Sequence, residues 1–287
     1  MKKISVVLAT YNEEGNLKDC LDSVKGWVEE IVIVDGGSTD KTVEIARSFG
    51  AKVIMTSNPP IFHINKQQAM DQADGDWILQ LDADERVTKD LAKEIRQVIE
   101  MDDEELEKYQ KSLSKRELFL RHQKLVEKRD EKVGEKEGQV NAFFVPRLNY
   151  FLGKYLKYGG VYPDGVIRLV RKDKAHFPCK SVHEQIAVEG RVGWLGHDLL
   201  HMADPTFERY LKRNNRYIQL IVDELKYAKM GKDPLSFIEY FIVKPLHWFF
   251  LTQVRHKGIL DGFPGVVFSF FSALRFPRAY WRYILNK

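Results

Sequence analysis

Asp82, Asp84 and Glu85 crowd directly behind the apolar run Trp77-Ile78-Leu79-Gln80-Leu81. Carboxylates this close repel one another, and a bound Mg²⁺ or Mn²⁺ relieves the repulsion, since both take hard oxygen ligands and often share them with a substrate phosphate. The competing reading is a solvated turn capping the helix that follows. Two more polar clusters trail apolar runs: Thr10-Tyr11-Asn12-Glu13-Glu14 after Ile4–Ala9, and Asp35-Gly36-Gly37-Ser38 after Ile31–Val34. An aspartate followed by two glycines lets backbone approach a ligand while its carboxylate accepts hydrogen bonds from a base or ribose. No GxGxxG follows the first run and no GxxxxGK[ST] occurs, which disfavours a nicotinamide-binding domain and excludes a P-loop.

These clusters need elements to position them. Short apolar runs rich in β-branched residues predict strands at Ile4–Ala9, Ile31–Val34, Lys52–Met55 and Trp77–Leu81. Between them, Leu17, Leu21, Val24 and Val28 fall on one helical face, and Val43-Glu44-Ile45-Ala46 reads as a second helix with Ser38 or Thr39 as N-cap and Gly50 as stop. Further helices are expected over Ile64–Ala73 and Leu91–Ile99. Strands alternating with helices imply an α/β fold with right-handed crossovers and a mostly parallel sheet. Ligands of such sheets bind beyond the carboxyl ends of the strands, so all three polar clusters converge on one rim.

Composition sets the bounds. A chain of 287 residues, 44% hydrophobic and 30% charged, can bury a substantial core, and a net charge of +4 is too small to argue for nucleic acid. Cys20 and Cys179 lie outside any CxxC or Cys/His spacing, which argues against a zinc site or disulfide framework and fits a reduced, cytoplasmic setting. The apolar run at the N-terminus is too short for a signal peptide and reads as a first strand.

The motifs ATYNEE, VDGGSTD and GDW-x4-LDADE resemble the nucleotide-binding half of family 2 glycosyltransferases of the GT-A fold. Further on, VPRLNYFLGKY, YPDGVIRLVRK, SVHEQI and LLHMADPTFERYLKRNNRY resemble the lipopolysaccharide-core glucosyltransferase subgroup called WaaE or KdtX-like, so the similarity runs from Ile4 to about Tyr217. Val161 stands where that subgroup often has Trp, and Gln67 where Asn is usual.

The resemblance implies a division of labour. Thr10, Tyr11, Glu13 and Asp35 would line the nucleoside pocket, with Asp35 reading a base expected to be uracil. Asp84 would ligate Mg²⁺ or Mn²⁺, with Asp82 on the ribose or a metal-bound water and His201 as a further ligand; the alternative for a lone histidine near apolar residues is a structural one. Lys66, Arg168 and Arg171 are candidate contacts to the diphosphate or acceptor. Glu184 is the expected general base, assisted by His183, with Asp164 as the competing candidate. One base and no obvious nucleophile imply direct displacement and inversion at the anomeric carbon. A second reading makes polyprenyl phosphate the acceptor, whose anionic oxygen needs no base; a third is a catalytically silent sugar-nucleotide-binding scaffold.

Two regions stand apart from the core. Residues 101–138 carry 11 acidic and 10 basic side chains, with Leu106, Tyr109, Leu113 and Leu120 at helical spacing, which reads as a long exposed helix or hairpin. Residues 238–287 hold 13 of the 34 aromatics and seven Lys/Arg against two acidic residues, yet their longest uncharged run is 13 residues, short of a membrane span. Aromatics interleaved with Arg275, Arg278 and Arg282 suit helices lying in the interface of an anionic leaflet; the alternative is a hairpin packed on the catalytic part or on a second subunit. The expected organisation is a catalytic domain over 1–232, with a nucleotide-sugar half to residue 100, the helical insertion over 101–140 and an acceptor half over 141–232, followed by a membrane-associating or dimerising region over 233–287. Expected partners are a nucleotide-sugar donor, a saccharide or lipid-linked acceptor, the inner face of the cell membrane and a second copy of the chain, but no nucleic acid.

Overall fold

The β-branched runs fold as strands, and the chain order is β1 (Ile4–Thr10), α1 (Leu17–Val24), β2 (Glu30–Asp35), α2 (Thr42–Ser48), β3 (Lys52–Met55), α3 (His63–Asp71) and β4 (Trp77–Gln80). There follow β5 (Glu85–Val87), α4 (Lys89–Glu100), α5 (Asp103–Ser112), α6 (Arg116–Asp130), β6 (Val140–Phe151), β7 (Lys154–Leu156) and β8 (Asp164–Arg171). A short pair, β9 (Ala175–His176) and β10 (Ala187–Val188), precedes β11 (Arg191–Trp194), β12 (Leu199–Asp204) and the long α7 (Phe207–Tyr227). The C-terminal region adds α8 (Pro234–Ile238), α9 (Lys244–Phe250), α10 (Phe263–Ala273) and α11 (Arg275–Leu285), with π-helical turns at Glu239–Val243 and Leu251–Arg255 and a 3₁₀ turn at Gly258–Asp261. The computed structural model describes residues 1–130, 133–180 and 185–285. It divides into two units, one of Met1–Arg147 with Pro163–His201 and one of Leu148–Tyr162 with Met202–Lys287.

Among the described residues one ten-stranded sheet has the order β3-β2-β1-β4-β8-β6-β12-β5, with β7 and β11 added on β6. The first four strands are parallel, and the sheet turns antiparallel where β8 joins β4. Register places Thr10 level with Asp35, so the polar ends of β1 and β2 emerge side by side. Apolar side chains of β1 and β4 form the core with Leu17, Cys20, Leu21 and Val24 of α1 and Leu91, Ile95, Val98 and Ile99 of α4, at the spacing of three and four that keeps one helical face inward. Thr88 caps α4, its side chain accepting from Leu91 N at 3.2 Å.

One helix start differs from expectation. The N-cap position of α2 is Lys41, not Ser38 or Thr39. Asp40 serves the helix instead, its Oδ1 accepting from Thr42 N at 3.0 Å, while Ser38 Oγ donates to Asp35 Oδ2 at 2.7 Å and accepts from Asn12 N at 2.8 Å. The serine is recruited by the loop beside it, which leaves the nearer aspartate for the helix.

The charged insertion is two helices with a break at Leu113, so α6 does not continue the apolar face of α5. Asp102 and Glu105 form a capping box on α5. On α6 Phe119 is buried and Leu120 is exposed. Phe119 and Phe144 both stack on Trp194, with centroids at 4.6 and 4.7 Å, anchoring α6 to the sheet.

In the second unit, α11 lies along α7, with Ala279 packed on Ile218 and Val222. Asn214 is buried in α7 and accepts a hydrogen bond from Arg275 Nε. Phe151, Leu156 and Tyr210 form an aromatic-rich cluster with Phe207, Phe268 and Phe271. Among the described residues no helix is long and apolar enough to cross a membrane.

Candidate active site

The end of β2 is built around Asp35. Its carboxylate is fully buried, with Oδ1 accepting from Gly37 N (3.0 Å) and Ser38 N (2.7 Å), and Oδ2 from Thr10 Oγ1 (2.8 Å) and Ser38 Oγ. Four donors fill the acceptor capacity of a carboxylate. Asp35 therefore holds the Gly36–Ser38 turn and ties it to β1; a nucleobase contact would have to displace one of these donors. Gly37, at φ +86°, supplies the left-handed conformation that the turn needs.

The turn behind β4 is equally constrained. Asp82 N donates to Glu85 Oε2 at 3.0 Å, Glu85 N to Asp82 O at 2.9 Å, and Arg86 Nη1 to Ala83 O at 2.7 Å. Glu85 is completely buried. Arg168 of β8 reaches it at 2.8 Å and also meets Asp82 Oδ2 at 2.6 Å, while Lys66 of α3 takes Asp82 Oδ1 at 2.5 Å. Arg147 of β6 bridges Glu85 at 3.1 Å and Asp164 at 2.7 Å. Three cations thus face three anions, Asp82, Glu85 and Asp164, in one connected network. Gln80 accepts from Arg168 and donates to Asp82 Oδ1 at 3.2 Å, fixing the guanidinium from below.

Electrostatics follow from this geometry. Burial by itself would raise the Asp82 pKa, but Arg168 and Lys66 overcome it and hold the carboxyl well below the usual range. Burial pushes the Lys66 ammonium down, and Arg168 adds to that, with Asp82 opposing. Because the folded Asp82 pKa lies below its unfolded value, the pairing stabilises the fold above the unfolded pKa and is lost as pH falls through the folded one. The difference in melting midpoint between wild type and Asp82→Asn is therefore expected to be constant above about pH 5 and to close only below 3.8; a pH series of thermal melts checks this.

Asp84 faces a histidine from β12. Its Oδ2 lies 3.6 Å from His201 Nε2, the register of β12 against β5 having set His201 opposite Glu85. One carboxylate and one imidazole facing each other across this gap fit a divalent cation, and because Asp82 is already engaged, the remaining positions would fall to water and phosphate oxygens, as Mg²⁺ and Mn²⁺ commonly arrange. Among the described residues no group of three or more His, Cys, Asp and Glu side chains is disposed to hold a metal without such help.

Thr10, Tyr11, Glu13, Lys66, Asp82, Asp84 and His201 all line one cavity of about 320 Å³ at the carboxyl ends of β1 and β4. Of the other expected residues, Asp35 and Arg168 stand behind that lining as supports, and Asp164 is engaged by Arg147. Arg171 stacks over Trp77, 5.1 Å from its ring, on the far reach of β8. His183 and Glu184 lie outside the described residues. Asn58, Phe62 and Asn65 line the cavity without having been singled out. The signal for Phe62 was its spacing of four residues before Lys66, which from the N-cap of α3 sets its ring 5.0 Å from the ammonium.

A sequence profile described as "Glycosyl transferase family 2" matches residues 5–173. An uncharacterized glycosyltransferase of Rickettsia typhi is 27% identical over 282 residues, covering 96% of this chain and 86% of its own. The lipopolysaccharide core biosynthesis glycosyltransferase LpsC of Rhizobium meliloti is likewise 27% identical, over 95% of this chain and 91% of its own. A solved structure of glucosyl-3-phosphoglycerate synthase from Mycobacterium tuberculosis, in complex with Mn²⁺ and UDP-glucose, overlaps 30% of this chain and 34% of that one at 28% identity, with a TM-score of 0.27, too partial to add weight. The profile takes in every strand of the parallel half and the whole turn behind β4; the protein belongs to glycosyl transferase family 2 and has its GT-A architecture.

Proposed function

We propose that this enzyme transfers a sugar from a UDP-linked donor to a hydroxyl of a lipid-linked or cell-envelope saccharide, with inversion and with Mg²⁺ or Mn²⁺ bound at Asp84 and His201. The observation that carries the reading is the cavity itself: seven residues expected to serve a nucleotide sugar line one space at the strand ends. The envelope acceptor is supported by the likeness to LpsC over nearly the whole chain.

In the transfer, the acceptor oxygen attacks the anomeric carbon as the bond from that carbon to the diphosphate oxygen breaks, and the diphosphate leaves with the electron pair. When bound, the cation supplies a Lewis acid against the charge gathering on the diphosphate. Lys66 is placed to add a second positive charge there, because its ammonium is at the cavity wall and is held in position by Asp82 and the Phe62 ring. Thr10 and Glu13 line the nucleoside side. The acceptor proton passes to Glu184, the base implied by the family resemblance, with His183 orienting it; Asp164 is less suited, since Arg147 already occupies its carboxylate.

Catalysis is proposed to reside in residues 1–232 on the inner face of the cell membrane, with 233–287 as the membrane-associating region. Titration calorimetry of the full chain with UDP, GDP and CDP, each with and without Mn²⁺, is expected to show binding of UDP that depends on the metal. No uridine nucleotide binding with Mn²⁺ present would overturn the donor assignment, and a product retaining the donor's anomeric configuration would overturn inversion.

A further inference from the structure

From Tyr240 to Leu285 the sequence has six lysines and arginines and a single acidic residue, Asp261. That residue is turned inward. It is 2% exposed, its carboxylate accepting from Lys157 N and Tyr158 N at 3.0 and 2.8 Å and its carbonyl from Lys154 Nζ at 2.9 Å. Around it, Val254, Ile259, Leu260 and Phe263 are 71%, 64%, 57% and 76% exposed, and Arg255, His256 and Lys257 between them are exposed as well. The tip from Val254 to Phe263 therefore offers apolar side chains, two cations and a histidine, and no exposed acid.

The tip is also rigid. A Cβ on Gly258 would come within 2.8 Å of Thr252 O, and one on Gly265 within 2.2 Å of Gly258 O, so the π-helical turn, the 3₁₀ turn and α10 meet backbone to backbone. Polar backbone groups are satisfied internally: His256 N donates to Leu251 O (3.0 Å), Leu260 N to Lys257 O (2.9 Å), Gly262 N to Ile259 O (2.9 Å) and Gly159 N to His256 O (2.8 Å). Gln253 ties the base to α10 through Gly265 O at 3.1 Å and Ser269 Oγ at 2.6 Å. Such a tip cannot fold its apolar side chains away, and its backbone can leave water at little cost.

We propose that Val254–Phe263 is a membrane-insertion element for an anionic bilayer, with Val254, Ile259, Leu260 and Phe263 entering the acyl boundary and Arg255 and Lys257 meeting lipid phosphates. The proposal rests on the membrane reading above and narrows it. The arginines expected to face the lipid are held elsewhere: Arg275 on Asn214, and Arg278 and Arg282 on Asn215 at 3.0 and 3.2 Å. Headgroup contact falls instead to the cations of the tip, where charge and apolar surface coincide.

Cosedimentation of the full chain with vesicles of phosphatidylcholine alone, or mixed with phosphatidylglycerol, tests this. Wild type is expected to partition onto the mixed vesicles, more weakly at high salt. The exposed double variant Ile259→Ser/Phe263→Ser should bind them about tenfold or more weaker, and Arg255→Glu/Lys257→Glu should lose the preference for phosphatidylglycerol. Both should keep the wild-type melting midpoint and UDP affinity, which confirms folding. If wild type binds and the serine variant binds equally, the tip is not the insertion element, though the membrane reading stands. Should wild type bind neither vesicle, the membrane reading fails with it. A wild-type dimer that the serine variant splits, seen by sedimentation equilibrium, would make the tip a subunit interface and overturn the proposal.

Discussion

Asp84→Asn is expected to lower sugar transfer by about 10²–10³-fold, the loss typical of removing one electrostatic partner of a developing oxyanion. The substitution keeps shape and removes the charge. The carboxylate of Asp84 faces His201 at 3.6 Å, whereas Asp82 and Glu85 are paired with Lys66, Arg168 and Arg147. The melting midpoint should fall less than in a variant of Glu85, because the Asp84 side chain is 17% exposed and that of Glu85 is completely buried. Mn²⁺ affinity, read by the electron paramagnetic resonance of the free ion, should weaken in parallel with turnover. His201→Ala should weaken Mn²⁺ in the same assay. Wild-type turnover in Asp84→Asn, or unchanged Mn²⁺ affinity in both variants, would remove the metal from the proposed mechanism.

The contrast between Asp84 and its neighbours shows what could and could not be read from the chain. The strands were legible because β-branched apolar runs have few other places to go, and Lys52–Met55 is a strand at the expected residues. The convergence of strand-end clusters was legible too, since a parallel sheet aligns its carboxyl ends. What could not be read was how the three carboxylates behind β4 divide. Sequence treats Asp82, Asp84 and Glu85 as one repelling group in need of a cation. In the fold, Asp82 and Glu85 receive protein cations from α3, β6 and β8, far apart in sequence from them, and only Asp84 is directed to the histidine. Asp35 poses the same difficulty: a carboxylate before two glycines looks poised for a ligand, yet the donors that fill it come from its own turn and from the adjacent strand. Local spacing identifies polar residues at a rim, while their partners are set by sheet register.

Glu85→Gln should be the most destabilising single substitution in the site. Glu85 is 0% exposed and touches two guanidiniums, so the amide leaves Lys66, Arg168 and Arg147 facing only Asp82 and Asp164. Breaking a buried pair by removing one partner costs about 3–5 kcal/mol, because the charge left behind stays desolvated. At roughly 2–4 °C per kcal/mol for a chain of this order of size, the midpoint should fall by roughly 6–20 °C. Activity should fall as well, since Glu85 Oε2 accepts from Asp82 N and thereby shapes the turn that carries Asp84. The mechanism predicts non-additivity: Arg168→Met added to Glu85→Leu should restore part of the stability that either change alone removes, as apolar replacement of a whole buried pair often does. Thermal and urea unfolding followed by circular dichroism measures both effects. A midpoint for Glu85→Gln within a degree or so of wild type would mean that the guanidiniums find water or other acceptors, and that the turn behind β4 is held by its backbone alone.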